Sequence, residues 1–475
     1  MTDQRHQPHG AEPTTPETTA DLPKPPGPLG GGSRALPLVA VSLGYFMVIL
    51  DATIVTVALP ALGRDLGAGV AGLQWVVDAY TATLAGLLLL GGSLGDRFGS
   101  RRVFEAALAG FTLASLACGL APSLGWLIAA RAVQGAGAAM AVPSSLALLR
   151  AAYPDQRERA RAFGVWGGIA GIAAASGPVL GGALTASVSW RAVFMVNLPI
   201  GLAALWLTRR HVPAAPRRAG ASGIDPVGQV AAVASLGGLI LALIRGGETG
   251  WGQPLVVGGL AAFVVFGVAW VATQWRGADP MLPLELWRRP TFSGSVAVGL
   301  LLNLGFYGQL FVMSLYLQQV RHYSPSLTGV ALLPEALAVL IASPLSGRLT
   351  GRVGPRRPMA TGQLIGAAGF AALALVPLAG PFALLVVPMI AAGFGTSFTM
   401  PAATSAAVGA VEAERSGLAS GALNASRQIG GAVGVALLGG LVAAPHAFGS
   451  GMHLAMLVAA AAFAVGAVLS ATTVR

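Results

Sequence analysis

Long apolar segments separated by short charged loops dominate the chain after residue 34. A membrane-spanning helix needs about 20 mostly apolar residues, and a window of that length finds fourteen such segments. The pattern therefore predicts an all-α integral membrane protein with 14 transmembrane helices and both chain ends on one side. The approximate spans are 36–62, 74–95, 103–121, 124–149, 162–186, 191–209, 225–245, 254–275, 291–319, 327–349, 359–378, 381–408, 415–443 and 451–472.

Two sequence patterns occur twice, in the same direction and at nearly the same spacing. The loop 92–102, after the second segment, returns as 347–357 with two glycines and three arginines in register. The stretch 135–143 of the fourth segment returns as 393–401. A parallel repeat of this kind is typical of transporters built from two helix bundles.

The repeat relates the first six segments to the last six and leaves the seventh and eighth outside the symmetry. Residues 1–34 are rich in Pro, Thr, Gly and Asp and have no apolar core, so they resemble neither a signal peptide nor a folded domain. The predicted divisions are a disordered cytoplasmic tail at 1–34, an N-terminal six-helix bundle at 35–210, a cytoplasmic linker at 211–224, an inserted two-helix segment at 225–275, a cytoplasmic loop at 276–290 and a C-terminal six-helix bundle at 291–475.

Composition agrees with a chain that lies in lipid. Hydrophobic residues make up 55% and charged residues 10%, against about 25% charged in soluble domains, and the mean hydropathy is +0.71. The single cysteine, Cys118, excludes an intrachain disulfide and a cysteine metal site. Without a metal cluster or a nucleophile–base pair among the six histidines and one cysteine, we expect neither an enzyme nor a bound cofactor or metal.

The placement of positive charge predicts the orientation. The net charge of +11 would suit a nucleic-acid partner, but the arginines lie at the edges of apolar segments, so none is expected. Of the 29 Lys and Arg residues, 23 lie in the tail, the even-numbered loops and the last residue, and four lie in the odd-numbered loops. Cytoplasmic loops carry the excess of Lys and Arg, so both termini are predicted to be cytoplasmic in a multi-pass protein of the cell membrane. The remaining two, Arg131 and Arg427, lie inside apolar segments.

An ionisable group at the centre of a membrane helix costs about 2.5–3.5 kcal/mol, so each one requires an explanation. Asp51 lies in mid-helix and could load and release a proton, or could tie its helix to a neighbour. Asp78 follows Gln74 and Trp75 near the outer end of the second segment, where it could accept a proton, balance a cationic substrate or simply favour the helix start. Arg131 is a fixed positive charge that could partner a carboxylate or reach an interface.

The repeated loop at 92–102 combines turn residues with charge. Its glycines permit a tight turn, Asp96 can cap a helix or face the positive end of another, and the arginines hold the loop at the inner surface. Making and breaking these contacts could latch one conformation, although the arginines alone would suffice as topology signals. The predicted gating residues are Gly92, Asp96, Arg97, Gly99 and Arg101.

Two further groups are defined by shape and by polarity. Small residues and a proline in the fifth segment predict a kinked helix in close contact with a partner helix, which would limit leakage while the halves move; ordinary small-residue packing explains them equally well. Polar residues in apolar segments are weak candidates for the wall of a substrate cavity. The first group is Gly177, Pro178, Gly181 and Gly182, and the second is Gln134, Glu335, Asn424, Arg427 and Gln428.

These motifs resemble the fourteen-helix drug:proton antiporters of the major facilitator superfamily over about residues 35–472, and within them the methylenomycin-resistance type. Residues 92–102 are similar to the loop motif of the superfamily, 50–60 to the first-helix motif of this branch, and 131–135 to the helix-4 motif assigned to proton coupling. Residues 177–182 are similar to the helix-5 antiporter motif, associated with export, and Trp190, Arg191, Phe194 and Asn197 add to the match. The resemblance implies the major facilitator fold.

The expected function is proton-coupled antiport that exports drugs, antibiotics or other small amphipathic compounds by alternating access. Asp51, Asp78 and Arg131 are the expected proton-coupling residues, protons are the coupling ion, and the protein is expected to act as a monomer in the lipid bilayer. A proton-coupled uptake symporter would share the fold, but the helix-5 motif speaks against it. A non-transporting receptor is the remaining alternative. Acidic residues found in related exporters of organic cations are absent at Val339, Asn424 and Gln428, which speaks against a dicationic substrate.

Overall fold

A computed structural model describes residues 2, 35–213, 225–276, 282, 284–412, 415–443 and 448–474. The predicted tail, apart from residue 2, and most of the predicted linker lie outside these residues. So does part of the predicted loop 276–290.

The described residues form fourteen long helices and no strand, and every predicted segment corresponds to one of them. A short 3₁₀ helix at Leu284–Arg288, before the ninth helix, was not predicted. In chain order the long helices are α1 Ala35–Leu66, α2 Val70–Phe98, α3 Ser100–Gly119, α4 Leu124–Ala152, α5 Gln156–Ser187, α6 Ala192–His211, α7 Pro226–Thr249, α8 Pro254–Arg276, α9 Pro290–Val320, α10 Pro325–Val353, α11 Arg356–Leu375, α12 Ala383–Gly409, α13 Ser416–Leu441 and α14 Phe448–Thr473.

Thirteen of these helices are long and apolar enough to cross a membrane. The other is α13, which is 26 residues long. It has the required length, but Asn424, Arg427 and Gln428 lower its hydropathy. Since α13 packs against α2, α7 and α9, its polar residues lie among other helices.

Two turns show why the repeated loop keeps a glycine at one position. Gly99 between α2 and α3 has φ +94°, and its counterpart Gly354 between α10 and α11 has φ +77°. Both values lie in the region where a side chain is strained. The same sequence repeat therefore produces the same tight turn in each half of the molecule.

Helix pairing also repeats. The pairs α1–α5, α1–α6, α2–α4, α3–α4 and α3–α6 in the first six helices correspond to α9–α13, α9–α14, α10–α12, α11–α12 and α11–α14 in the last six. Backbone contacts follow the same rule. Gly135 packs against Tyr80 O on α2, and Gly393 packs against Glu335 O on α10. Tyr80 and Glu335 are 255 residues apart (335 − 80), which is the spacing of the repeated loop.

The two sets of six helices meet through α2 with α13 and α5 with α10, with α1 and α9 also in contact. The inserted helix α7 packs against α2 and α13, and α8 packs mainly against α7. Gln229 on α7 donates to Gly86 O on α2. Apolar side chains cover the exposed surface of α8, including Val257, Val264 and Val268. The inserted pair is thus attached to one side of the junction between the halves, with α8 facing lipid.

The contact between α5 and α10 is tight at one end and open at the other. A side chain on Gly182 would overlap Pro325 O, and one on Gly329 would overlap Pro178 O. Along the same face of α5, Gly168 and Gly164 have nothing within 4 Å of an added Cβ. Helices α5 and α10 are therefore apart at the end that carries the arginine-rich loops and in contact at the opposite end.

Candidate transport site

Asp51 lies in a fully buried polar cluster formed by α1, α3, α4 and α6. Its Oδ2 pairs with the Arg131 guanidinium. Its Oδ1 accepts from Asn197 Nδ2 at 2.8 Å and from Gln134 Nε2 at 3.2 Å. Gln134 also donates to Ser115 Oγ at 2.7 Å. Both carboxylate oxygens are thus occupied, which compensates the cost of burying the charge.

The Arg131 guanidinium is likewise surrounded on all sides. It donates from Nε to Val76 O at 3.1 Å and from a terminal nitrogen to Gln134 Oε1 at 2.9 Å. Its centre lies 4.3 Å from the centroid of the Tyr80 ring. Arg131 is 1% exposed, so it does not reach an interface and serves as the partner of Asp51.

This Asp51 cluster faces the interior of the first six helices. Thr53, two residues after Asp51, lines the cavity between the halves, and two residues along a helix turn the side chain by about 200°. Asp51 therefore points away from that cavity. Gln134, predicted as part of the cavity wall, is 0% exposed within the Asp51 cluster; that prediction is wrong for this conformation.

Glu335 is the carboxylate that lies in the cavity between the halves. It is 3% exposed, and its Oε2 accepts from Gln309 Nε2 at 3.2 Å. Glu335 Oε1 and the side-chain amide oxygen of Gln309, Oε1, have no partner among the described residues. The cavity is lined from the first half by Thr53, Ala174, Ala175 and Pro178, and from the second half by Phe306, Leu310, Leu332, Glu335, Ala336 and Val339.

Asp78 is buried in the structure. The sequence places it near the outer end of α2, close to water, and this expectation is corrected. It is 0% exposed; its Oδ1 accepts from Thr81 at 3.4 Å, and its Oδ2 has no partner among the described residues. One turn before it, Gln74 donates to the carbonyls of Val435 and Ala436 on α13 at 3.0 and 2.8 Å. Asp78 is therefore a second carboxylate close to the junction of the halves.

Arg427 on α13 has no carboxylate partner among the described residues. It donates to Asn424 Oδ1 at 3.3 Å, and its Nε is buried without an acceptor. Its charge acts on Tyr45 of α1 and Tyr307 of α9. Gln428 is half-buried beside it. The polar stripe predicted on α13 thus contains an unneutralised cation between the halves.

In the predicted gating loop, Arg101 is the residue with defined partners among those the structure describes. It donates to Glu105 at 2.8 Å and to Arg209 O at 2.8 Å. Asp96 is half-buried and makes no side-chain hydrogen bond or ion pair among the described residues, and α3 begins at Gly99 without a side-chain cap. Arg97 is exposed. The expected cap by Asp96 is absent in this conformation.

The predicted antiporter helix makes close contacts of the expected kind. Side chains on Gly177 and Gly181 would overlap Thr53 and Ile54 of α1, whereas one on Gly182 would overlap Pro325 of α10. Pro178 lies inside the helix. The glycines therefore bring α5 against its own half and against the other half at the closed end.

Several residues of these sites were not among the predicted ones. Gln309 and Ser115 were missed, although an amide and a hydroxyl inside apolar segments are a usable signal. Asn197 belonged to a recognised motif without an assigned role, which the structure supplies. In the same motif, Trp190 Nε1 and Arg191 donate to Asp65 at 2.9 and 2.6 Å. These contacts join helices distant in sequence.

The fold and these sites define a helical membrane protein with two related halves and buried charges at and beside their junction. The sequence model of the Major Facilitator Superfamily matches residues 41–435 and 296–475, and the chain belongs to this superfamily. Family membership confirms the predicted resemblance and fold, and identifies the chain as a transporter and not an enzyme.

Similar proteins include resistance proteins of two bacteria. The chain is 39% identical over 412 residues to the multidrug resistance protein Stp of Mycobacterium tuberculosis, covering 87% of this chain and 76% of that protein. It is 36% identical over 435 residues to the methylenomycin A resistance protein of Bacillus subtilis, covering 91% and 92%. A bacterial homolog of the human lysosomal transporter Spinster, in an inward-facing and unoccupied conformation, superposes with a TM-score of 0.66 at 19% identity, covering 94% and 98%.

Proposed function

We propose that this transporter exports drugs, antibiotics or other small amphipathic compounds across the cytoplasmic membrane in exchange for protons. The observation that carries the proposal is Glu335, a carboxyl in the cavity between the halves with one oxygen unpartnered. The similar proteins named for multidrug and methylenomycin A resistance support the export of toxic compounds. Both termini face the cytoplasm in this proposal.

Proton exchange requires a carboxyl that can meet water from either side and that tolerates both protonation states. Glu335 fits because it lies where the halves separate, and Gln309 can serve either form: its NH₂ donates to the carboxylate, and its free oxygen accepts from the acid. Asp78, with one unpartnered oxygen beside α13, is a second candidate. Asp51 would have to leave Arg131 before accepting a proton, so we assign the pair to holding the first bundle in shape.

Alternating access requires the closed end to open and the open end to close. Several contacts at the closed end are side chains bonded to backbone of the other half. Ser314 donates to Thr56 O at 2.7 Å, and Gln318 donates to Val57 O at 2.9 Å. Such single contacts between rigid bundles can be exchanged without unfolding a helix. In this proposal the present conformation is the one that loads substrate from the cytoplasm.

The test uses purified protein in liposomes with a pH gradient reported by a pH-sensitive dye. Methylenomycin A serves as the probe, because a similar protein is named for resistance to it. Antiport predicts that adding an exported probe dissipates the gradient, and that Glu335→Gln, which keeps the shape and the bond from Gln309, removes this response. Glu248→Gln is the matched control, because Glu248 is exposed and its partner, Arg245, is exposed as well.

Two results would overturn the proposal. One is accumulation of the probe on the side that receives the protons, which is the behaviour of an uptake symporter. The other is a wild-type protein that leaves the pH gradient intact when the probe is added, together with export from intact cells that an uncoupler does not slow. This second result would show that export, if present, does not depend on protons. A full response of Glu335→Gln alone would show that another group carries the proton.

A further inference from the structure

Arg427 is a charge that the proposed proton exchange does not use. Among the residues that the structure describes, its side chain bonds only to Asn424, and its Nε is buried without an acceptor. By contrast Arg131, the other arginine inside the membrane segments, is fully neutralised by Asp51. A guanidinium cannot lose its proton in a protein, and an uncompensated charge in a membrane segment is costly and usually functional.

The surroundings of Arg427 come from both halves of the molecule. Tyr45 of α1 stacks on Trp166 of α5, with ring centroids 3.8 Å apart and an interplanar angle of 8°. Tyr307 of α9 lies against α13 one turn after Arg427, because a Cβ on Gly431 would lie 3.2 Å from its ring. A Cβ on Gly299 would lie 3.1 Å from Arg427 Cγ, so this glycine gives the arginine stem room against α9. Arg427 thus lies where α13 meets α9, with the stacked Tyr45 and Trp166 of the first half within range of its charge.

The polar atoms of this site are mainly donors. Arg427 Nε and Trp166 Nε1 are both buried without acceptors, while the Asn424 carbonyl oxygen is already occupied by Arg427. Both phenols of Tyr45 and Tyr307 can also donate. A ligand that satisfies such a site must supply acceptor oxygens and negative charge, and carboxylates bind guanidinium groups with matched geometry.

We propose that Arg427, Asn424, Tyr45, Trp166 and Tyr307 bind the anionic oxygen group of an amphipathic substrate, a carboxylate or an ionised enol or phenol. The proposal rests on the proposed function and specifies its substrate class. Tyr45 lies eight residues before Thr53, and Trp166 lies eight residues before Ala174. Thr53 and Ala174 line the Glu335 cavity, and eight residues span about 12 Å along a helix. The apolar body of the substrate extends from Arg427 toward that cavity.

The test is equilibrium binding to the purified full-length protein, followed by the fluorescence of three dansyl probes. Dansylglycine is an amphipathic anion, dansylglycinamide is its neutral analogue, and dansylcadaverine is a cation. The wild type is expected to bind dansylglycine at least tenfold more tightly than the other two. Arg427→Gln is expected to weaken dansylglycine binding at least tenfold and to leave dansylglycinamide within twofold, while Arg427→Lys retains part of the preference.

Arg321→Gln is the matched control, because Arg321 also lies near two tyrosines, Tyr316 and Tyr323, but its guanidinium donates to Gly380 O. It should leave the preference for the anion intact. No charge preference in the wild type, no binding of dansylglycine, or an equal loss of all three probes in Arg427→Gln would overturn the proposal. Binding does not require proton exchange, so the anion preference can stand if antiport fails, and antiport can stand if the preference fails.

Discussion

Two arginines lie inside membrane segments of this protein, and their partners determine what each can do. Arg131 has a carboxylate, an amide, a backbone carbonyl and an aromatic face around it. Arg427 has an amide and two nearby phenols. The first arrangement balances a buried charge within one bundle. The second leaves a charge to be balanced by something that enters the junction.

Removing one member of the Asp51–Arg131 pair should destabilise the protein strongly. Asp51→Asn leaves the guanidinium buried without a counter-charge, which costs about 3–5 kcal/mol. The double variant Asp51→Asn, Arg131→Gln should lose less than the sum of the two single variants, because neither charge remains. Thermal unfolding in detergent measures both effects.

The exposed pair Arg245–Glu248, with side chains 43% and 42% exposed, provides the control. Arg245→Gln should cost about 0–1 kcal/mol, because a surface ion pair contributes little. If Asp51→Asn unfolds at the wild-type temperature, the pair does not hold the first bundle together, and Asp51 becomes available again as a proton carrier.

Residues of this site could be identified from the sequence because a charge in a membrane helix is costly in free energy. Which side chains surround them could not be predicted. Asp51, Arg131 and Glu335 are recognisable because charge is expensive in an apolar segment. That Asp51 turns inward and Glu335 faces the junction depends on which side of each helix meets another helix. Nearly uniform apolar segments such as α1 carry too little periodicity to show this.

At the scale of helices, the α5–α10 contact should control leakage. Gly182→Ala places a methyl group against Pro325 O, and since backbone cannot move aside cheaply, the two helices must separate at the closed end. We expect a severalfold faster proton leak in liposomes without substrate, and weaker export.

Gly168→Ala is the control for this variant. Gly168 lies on the same face of α5, but nothing lies within 4 Å of an added Cβ, so the same change in helix propensity occurs without the clash. An equal leak in both variants would mean that the glycines contribute through the helix itself and not through the contact with α10.

Asp96 is expected to act in the other conformation. It has no hydrogen-bonded partner among the described residues here, where α5 and α10 are apart at the arginine-rich end, so Asp96→Asn should leave this conformation as stable as before. If Asp96 forms a contact when that end closes, the variant shifts the equilibrium toward the open form.

Alkylation of Gly168→Cys, which lies on the open face of α5, measures this shift. Labelling should become faster when Asp96→Asn is added, whereas Arg245→Gln at the opposite end should not change it. Slower or unchanged labelling would contradict a latch at this loop and leave its arginines as topology signals.

For the whole molecule, the fold was predictable because its determinants repeat along the chain. Fourteen apolar segments define the helices, and the echo of 92–102 at 347–357 becomes two glycine turns with positive φ. The conformational state was not predictable. In this structure it depends on side-chain contacts between the halves, such as Ser314 with Thr56 O, which the sequence does not pair.

Export of an anion in exchange for a proton should be driven strongly by the membrane potential. One anion moving out and one proton moving in transfer two charges in the favourable direction. Each charge contributes about 2.3 kcal/mol per 100 mV, so the cycle gains about 4.6 kcal/mol, against about 2.3 for a neutral substrate.

We therefore expect a potassium diffusion potential, imposed without a pH difference, to drive dansylglycine transport in liposomes more steeply than transport of dansylglycinamide. Arg427→Gln should abolish transport of dansylglycine at low concentration. It should leave the shallower dependence of dansylglycinamide transport on the membrane potential unchanged. Equal steepness for both compounds would mean that the substrate crosses without its charge, and that Arg427 is balanced by a group other than the substrate.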